Sequence, residues 1–251
     1  MTYKYLLIIV ISLAVVSMRA DAAEINAERE YARCMKFAKG KPQKGFDVAI
    51  AWLGLGGGDP ARHCMAVSLM ELGQYKEAAG RLEKLAQNMR APKEFKAALL
   101  GQAGQAWLLA GNINQADNVL TAAIKLDPIN WNLYVDRAQV AATQNDLARA
   151  LRDLDRVLDS APEYVDALVF RASAKRQLKQ HDSAAIDVSR ALELAEDHLE
   201  GLLERGILRR LLKDKIGARA DWLKVITLAP DSETARIARN NIQRMDGQMT
   251  K

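Results

Sequence analysis

Aromatic side chains are scarce in this sequence, at 6% of residues, and there are only two cysteines, Cys34 and Cys64, and three histidines. Alanine stands where bulkier residues would be, which suits helices that pack closely. There is no Cys-x-x-Cys, no haem-type Cys-x-x-Cys-His and no Gly-x-Ser-x-Gly. Their absence excludes a thioredoxin-like motif, covalent haem attachment and a hydrolase nucleophile elbow. The stretch Gly54-Leu55-Gly56-Gly57-Gly58 is followed by no Lys-Ser or Lys-Thr and preceded by no strand pattern, so it is not a phosphate loop. Asp59-Pro60 reads instead as a helix N-cap with proline in the first turn, and the glycines as a flexible turn. The histidines His63, His181 and His198 are scattered. Acidic pairs such as Asp153 and Asp155 fall at i,i+2, on opposite faces of a helix, and form no carboxylate dyad. Neither an enzyme nor a bound cofactor or metal is expected.

Long apolar runs are also missing after the N-terminus, so no spanning helix is expected there. At the N-terminus Lys4 precedes an apolar run over residues 5–16, and Ala20-Asp21-Ala22 offers a small-x-small cleavage pattern. The run is about 12 residues, short of the roughly 20 that a spanning helix needs. Residues 1–22 therefore read as a signal peptide, and no stable membrane insertion is expected after cleavage. Cutting after Ala22 would remove Lys4, Arg19 and Asp21 and leave a mildly basic chain of +4. The expected location is periplasmic or secreted. In an oxidising compartment two cysteines most simply pair, so a Cys34–Cys64 disulfide is expected. A metal site recruiting His63 beside Cys64 is disfavoured, because adjacent helical residues point about 100° apart.

What is present is a repeat. Residues 131–164 read as two amphipathic helices, about 131–143 and 147–159, with Asn145-Asp146 at the turn and Pro162 stopping the second. The pattern recurs without slipping. Pro128, Pro162 and Pro230 fall on one 34-residue beat, with Glu196 on the missing one. Ala116, Ala150, Ala184 and Ala218 keep the same spacing, as do Leu120, Leu154, Val188 and Trp222. A 34-residue helix–turn–helix period is that of the tetratricopeptide repeat. The chain resembles that family most fully in residues 97–130, where Leu100, Gly104, Trp107, Ala116, Leu120, Ala123 and Pro128 stand at its signature positions.

The resemblance implies an all-α solenoid of tandem helix–turn–helix units that form a superhelix. The organisation expected is a signal peptide (1–22), a diverged N-terminal capping helix pair (23–58) and an array over 59–232. Five units make up that array: 59–96, 97–130, 131–164, 165–198 and 199–232. The first carries four extra residues, and a C-terminal capping helix and tail (233–251) close the end.

Three units carry arginine at position seven, Arg137, Arg171 and Arg205, and aspartate sixteen residues later, Asp153, Asp187 and Asp221. The unit at 97 has Ala103 and Val119 there, so the two charges come and go together. This predicts an ion pair between the two helices of each unit. Arg149, Arg152 and Arg156 form a basic stripe, but aspartates interleave it. Surface ion pairs, and no nucleic-acid partner, are expected.

In the family resembled, the first helices make the inner wall of the groove. The wall residues expected to meet a partner are Gly101, Gln105, Asn132, Val135, Gln139, Val169, Ser173, Arg176, Leu203, Ile207 and Arg210. Gly101 would leave room for a ligand backbone, Val135, Val169, Leu203 and Ile207 would supply an apolar strip, and Arg176 and Arg210 would favour an acidic stretch. Gly101, Gln105 and Asp136 stand where a carboxylate clamp would need lysine or asparagine, so that mode of recognition is not carried over. The function expected is an exported protein–protein interaction adaptor with a protein partner in the groove. The alternative is a structural or assembly subunit of a cell-envelope complex that uses its convex face or its ends. The mature chain should begin at Ala23 or within a residue or two of it. N-terminal sequencing of exported protein that returned Met1 or Thr2 would refute this.

Overall fold

The computed structural model describes residues 26–247, and every regular element among them is an α-helix. The expected signal peptide and residues 248–251 lie outside the described residues. The helices are α1 (Ala27–Gly40), α2 (Pro42–Gly54), α3 (Gly58–Glu71), α4 (Tyr75–Asn88), α5 (Lys93–Leu109), α6 (Ile113–Leu126) and α7 (Trp131–Thr143). They continue as α8 (Leu147–Ser160), α9 (Val165–Gln177), α10 (His181–Leu194), α11 (Leu199–Leu211), α12 (Lys215–Leu228) and α13 (Glu233–Gly247). Odd and even helices pair as antiparallel hairpins, each packed on the one before and after it.

Local chemistry sets the hairpins. The first helices α3, α5, α7, α9 and α11 are each followed by a residue in the left-handed region: Gly73, Gly111, Asn145, Lys179 and Lys213. The next amide then reaches back five residues, as in Asn112 to the Trp107 carbonyl and Asp146 to that of Ala141, both at 2.9 Å. That bond satisfies a carbonyl left open at the helix end. Glycine adopts the conformation freely, whereas Lys179 and Lys213 hold it at a steric cost. Asp146 and Asp214 then cap the following helices by accepting the amides of Arg149 and Gly217.

Three boundaries follow from local chemistry, and the entry to α3 differs from the sequence reading. Pro42 opens α2, since proline is tolerated at the first helical position. Helix α3 starts at Gly58 with Gly57 as its cap residue, so Asp59 lies inside the first turn and pairs with Arg62 instead of capping. Gly57 sits against the Trp52 ring, where a Cβ would come within 2.7 Å, and this contact fixes the entry to α3. The four extra residues of the first full unit extend the start of α5, which has 17 residues where α7, α9 and α11 have 13.

Inside each hairpin a small residue meets a large one. Gly206 lies under Trp222, whose indole nitrogen would stand 2.3 Å from an added Cβ; Trp222 is fully buried as a result. The arginine and aspartate columns meet across the same crossing. Arg137 donates through Nε and Nη2 to both Asp153 oxygens at 2.8 and 2.7 Å. Arg171 does the same to Asp187 at 2.9 and 2.8 Å, and Arg205 to Asp221 at 3.0 and 2.7 Å. The aspartates are buried. Lys175 and Arg209, one unit apart, add a third donor to Asp187 and Asp221. At the N-terminal end a disulfide joins Cys34 of α1 to Cys64 of α3, across α2.

First helices also touch the next first helix, as in α5 with α7, α7 with α9 and α9 with α11. Among the described residues no second helix makes a comparable contact with the next second helix. First helices therefore lie closer together and line the inner side of the curve.

Among the three forks, Arg137–Asp153 has no second cation on its carboxylate, which makes it the cleanest to test. Arg137→Ala and Asp153→Ala should each destabilise by about 3 kcal/mol, because each strands a buried partner. The double variant should cost less than the two together by roughly 1–3 kcal/mol in chemical denaturation. Additive losses would mean that the fork contributes no coupling.

Candidate functional site

The inner-wall positions on each first helix differ in what they do. The fifth position of each unit, Gly101, Val135, Val169 and Leu203, points toward the neighbouring first helix. A Cβ on Gly101 would lie 2.7 Å from Leu133 Cδ2, and the Val169 methyl packs toward Gly201. Val135 and Val169 are buried, at 4% and 3% exposure. Gly101 therefore leaves no room for a ligand, and the two valines belong to the core and not to an apolar strip. Of the expected strip only Leu203 and Ile207 remain half-exposed.

The second, sixth, ninth and twelfth positions do face the groove. Gln105 is exposed and donates through Nε2 to Asp136 at 3.0 Å. Asn132 accepts from the Tyr164 hydroxyl. The Asp166 carboxylate faces His198 Nε2 at 2.9 Å, and Glu200 accepts from Thr234 at 3.0 Å. These bonds run from unit to unit and form a polar ladder. Gln139 and Arg210 are half-buried, with no side-chain bond to any described residue. Ser173 accepts from Arg176 at 3.2 Å.

Arg176 departs from its expected role. Its guanidinium is bound by the buried Glu204 carboxylate of the next unit through two contacts, one of them at 3.2 Å. A charge so neutralised does not recruit an acidic ligand. The exposed groups along the middle of the wall are instead the carboxylates of Asp166 and Glu200. Sequence reasoning missed Asp136, Tyr164, Asp166, His198, Glu200 and Glu204 as one system. The available signal was a polar residue at position two and another 32 residues on, as in Asn132 with Tyr164 and Asp166 with His198.

The ladder is electrostatically uneven. Burial pushes the Asp136 carboxyl up to about 6; the Gln105 donor opposes the rise and the nearby Asp166 charge adds to it. Burial, then the charges of Asp166 and Asp136, raises the Tyr164 phenol. The hydrogen bond from His198 holds Asp166 below its ordinary value, and the same bond holds His198 above its own. His198 Nδ1 meanwhile accepts the Gly201 amide and caps α11, a bond that needs the Nδ1 lone pair. At the N-terminal end of the wall His63 lies between the Tyr31 hydroxyl (2.7 Å) and Gln102 Oε1 (3.0 Å). Burial lowers its pKa, with the Gln102 bond opposing. Among the described residues no three metal-binding side chains cluster. No helix among them is long and apolar enough to cross a membrane.

No protein-family model matches the chain. Solved structures do. A chain of the APC/C hetero-tetramer Cut9–Hcn1 superposes with a TM-score of 0.67 at 16% identity over 87% of this chain. This chain spans 42% of that one. A thermophilic TPR protein of Thermus thermophilus gives 0.63 at 20% identity, covering 74% of this chain and 98% of that one. The C-terminal part of a TPR repeat-containing protein from Cytophaga hutchinsonii gives 0.57 at 15%, covering 86% and 95%. At these identities the likeness is one of fold, and the fold is a tetratricopeptide solenoid.

Asp136 supplies a test of the wall's electrostatics. Its folded pKa of about 6 lies above the ordinary 3.8, so the folded state holds that proton more tightly. Its contribution to stability is full at pH 3–4 and is lost as pH rises through about 6. Asp136→Asn keeps an acceptor for Gln105 and removes the buried charge. It should melt several degrees above the unsubstituted protein at pH 7.5, with the gap closing by pH 4. Lower stability at pH 7.5 would show that the carboxylate is held favourably.

Proposed function

We propose that this tetratricopeptide solenoid is an exported adaptor that holds a segment of a protein partner along its inner wall, over residues 97–232. The carrying observation is the wall itself. First helices converge there, and Gln105, Asn132, Gln139, Asp166 and Glu200 line up along it, exposed or half-exposed. A main chain laid across them would find side-chain donors and acceptors in every unit. The half-buried Leu203 and Ile207 offer an apolar foothold in the last unit. The exposed carboxylates favour a segment rich in amides, hydroxyls or basic groups. The leader pattern at residues 1–22 and the Cys34–Cys64 disulfide support export, since such bonds persist in oxidising compartments.

The second reading is an envelope assembly subunit that uses its convex face or ends. What favours it is apolar exposure on the second helices: Ile186 at 70% and Ile216 at 87%.

Site-specific photo-crosslinking in the native compartment separates the two. A crosslinker at Gln139 or Ile207 should give a covalent partner adduct, and one at Ile186 should not. Asp166→Lys with Glu200→Lys should lower adduct yield at least about tenfold, a change of 1.4 kcal/mol. The melting temperature should move little, because exposed pairs are worth about 0–1 kcal/mol. Adducts from Ile186 alone would replace the groove with the convex reading.

A further inference from the structure

We infer that the cleft bounded by α2 and α4 and floored by α3 is a second binding site, for an acidic segment of a protein partner that carries one large apolar side chain. It goes beyond the inner-wall reading and does not rest on it. Helices α2 and α4 both pack on α3, and the space left over the Asp59–Arg62–Met65 face of α3 has a volume of about 450 Å³. Met65 lies about 200° around α3 from His63, whose ring joins the first helices, so the cleft opens away from the inner wall.

The cleft is amphipathic. Met65 and Leu85 form a floor that is about 5% and 4% exposed, with Leu53 beside it. Arg62, Arg81 and Lys84 stand around the rim. Arg81 and Lys84, three residues apart on α4, share a face with Leu85 and Asn88. Arg62 is bound to Asp59 at 2.8 Å and Arg81 to Glu77 at 2.7 Å, both pairs well exposed. Lys84 has no partner among the described residues and offers an uncommitted charge. Arg81 also extends Nη1 to within 3.1 Å of Met65 Sδ, so a cation already overhangs the apolar floor.

Magnitudes decide what such a site can hold. Exposed ion pairs in water are weak, so the rim alone would not retain a small free anion. A large apolar side chain that leaves water for the floor adds a favourable contribution in proportion to the apolar area it covers. The ligand must therefore bring both an apolar anchor and flanking negative charge. A bilayer surface would meet the rim and leave the recessed floor untouched, which favours a peptide over lipid. The charge of the chain agrees. Residues 26–96 carry 13 Lys and Arg against 8 Asp and Glu, net +5, whereas residues 97–247 carry 20 against 21, net −1. The basic character is concentrated in the part of the chain that holds the cleft.

The test uses the full mature chain with its methionine methyls ¹³C-labelled. The probe is a synthetic octapeptide with one phenylalanine flanked on both sides by glutamates. Binding should shift the Met65 methyl resonance in a saturable way. Lys84→Glu with Arg62→Glu, both at the surface, should raise the apparent Kd at least about tenfold, and so should replacing the peptide's phenylalanine by alanine. The inner-wall variant Asp166→Lys with Glu200→Lys should leave this binding unchanged. No shift at Met65, or undiminished affinity in the charge-reversed variant, overturns the proposal. Equal perturbation of Met65 by vesicles of anionic phospholipid overturns the assignment to a peptide.

Discussion

Burial between neighbouring units is the constraint on which everything else here depends. A hairpin of two helices exposes an apolar face that it cannot cover itself, and the next hairpin covers it. Leu133 and Leu168 illustrate this. Each sits on a first helix and is buried in one cluster that spans three successive units. Stability in such an array is a sum of unit and interface contributions, so any residue that fixes the crossing angle acts on both neighbours. The Arg–Asp forks do this. Breaking one strands a buried charge at about 3–5 kcal/mol, yet replacing both partners with apolar side chains is often neutral. The unit at residues 97–130 makes that replacement, with Ala103 and Val119 buried at the same two positions. A fork is therefore costly to break by halves, while an apolar pair can occupy the same crossing.

The ends lack one neighbour and are closed differently. At the C-terminal end α13 buries Ala235, Ala238 and Met245 against the last hairpin and turns Arg236 and Arg239 outward. At the N-terminal end the disulfide bypasses α2 and ties α1 directly to α3. Closing a loop of 30 residues limits the unfolded chain by about 3–4 kcal/mol in the chain-entropy account. That contribution falls at the end of the array, where one neighbouring unit is missing.

The fold was legible because its determinants are periodic. A 34-residue beat in proline, alanine and a large apolar column leaves few architectures open, and the fork column reports a contact through covariation inside one chain. The site was less legible for a physical reason. Wall positions were assigned by family geometry at one residue per turn, and that resolution cannot separate a side chain facing the groove from one facing the next first helix. Gly101, Val135 and Val169 fell on the wrong side of that division. Arg176 was misread because its partner, Glu204, lies 28 residues away and off the 16-residue beat of the other forks. The N-cap role of His198 and its link to Asp166 depend on stacking that no single unit displays.

The inner wall has a property that bears on how it can bind. Most of its polar groups are already bonded to one another across units: Gln105 to Asp136, Asn132 to Tyr164, Asp166 to His198, Glu200 to Thr234. A ligand that takes one of these groups must leave its former partner satisfied. Hydrogen-bond exchange of this kind yields only about 0.5–1.5 kcal/mol per bond. Affinity then has to come from groups not yet committed, which are Gln139 and Arg210, and from the apolar surface of Leu203 and Ile207. Three of these, Leu203, Ile207 and Arg210, lie in the last unit, so a segment bound in the proposed groove would be anchored there and would only trace the ladder further back. Under the proposed groove binding, the ladder's contribution is selective more than adhesive. It penalises a segment whose charges or bulk would break the bonds between units, and those bonds help hold the wall in shape.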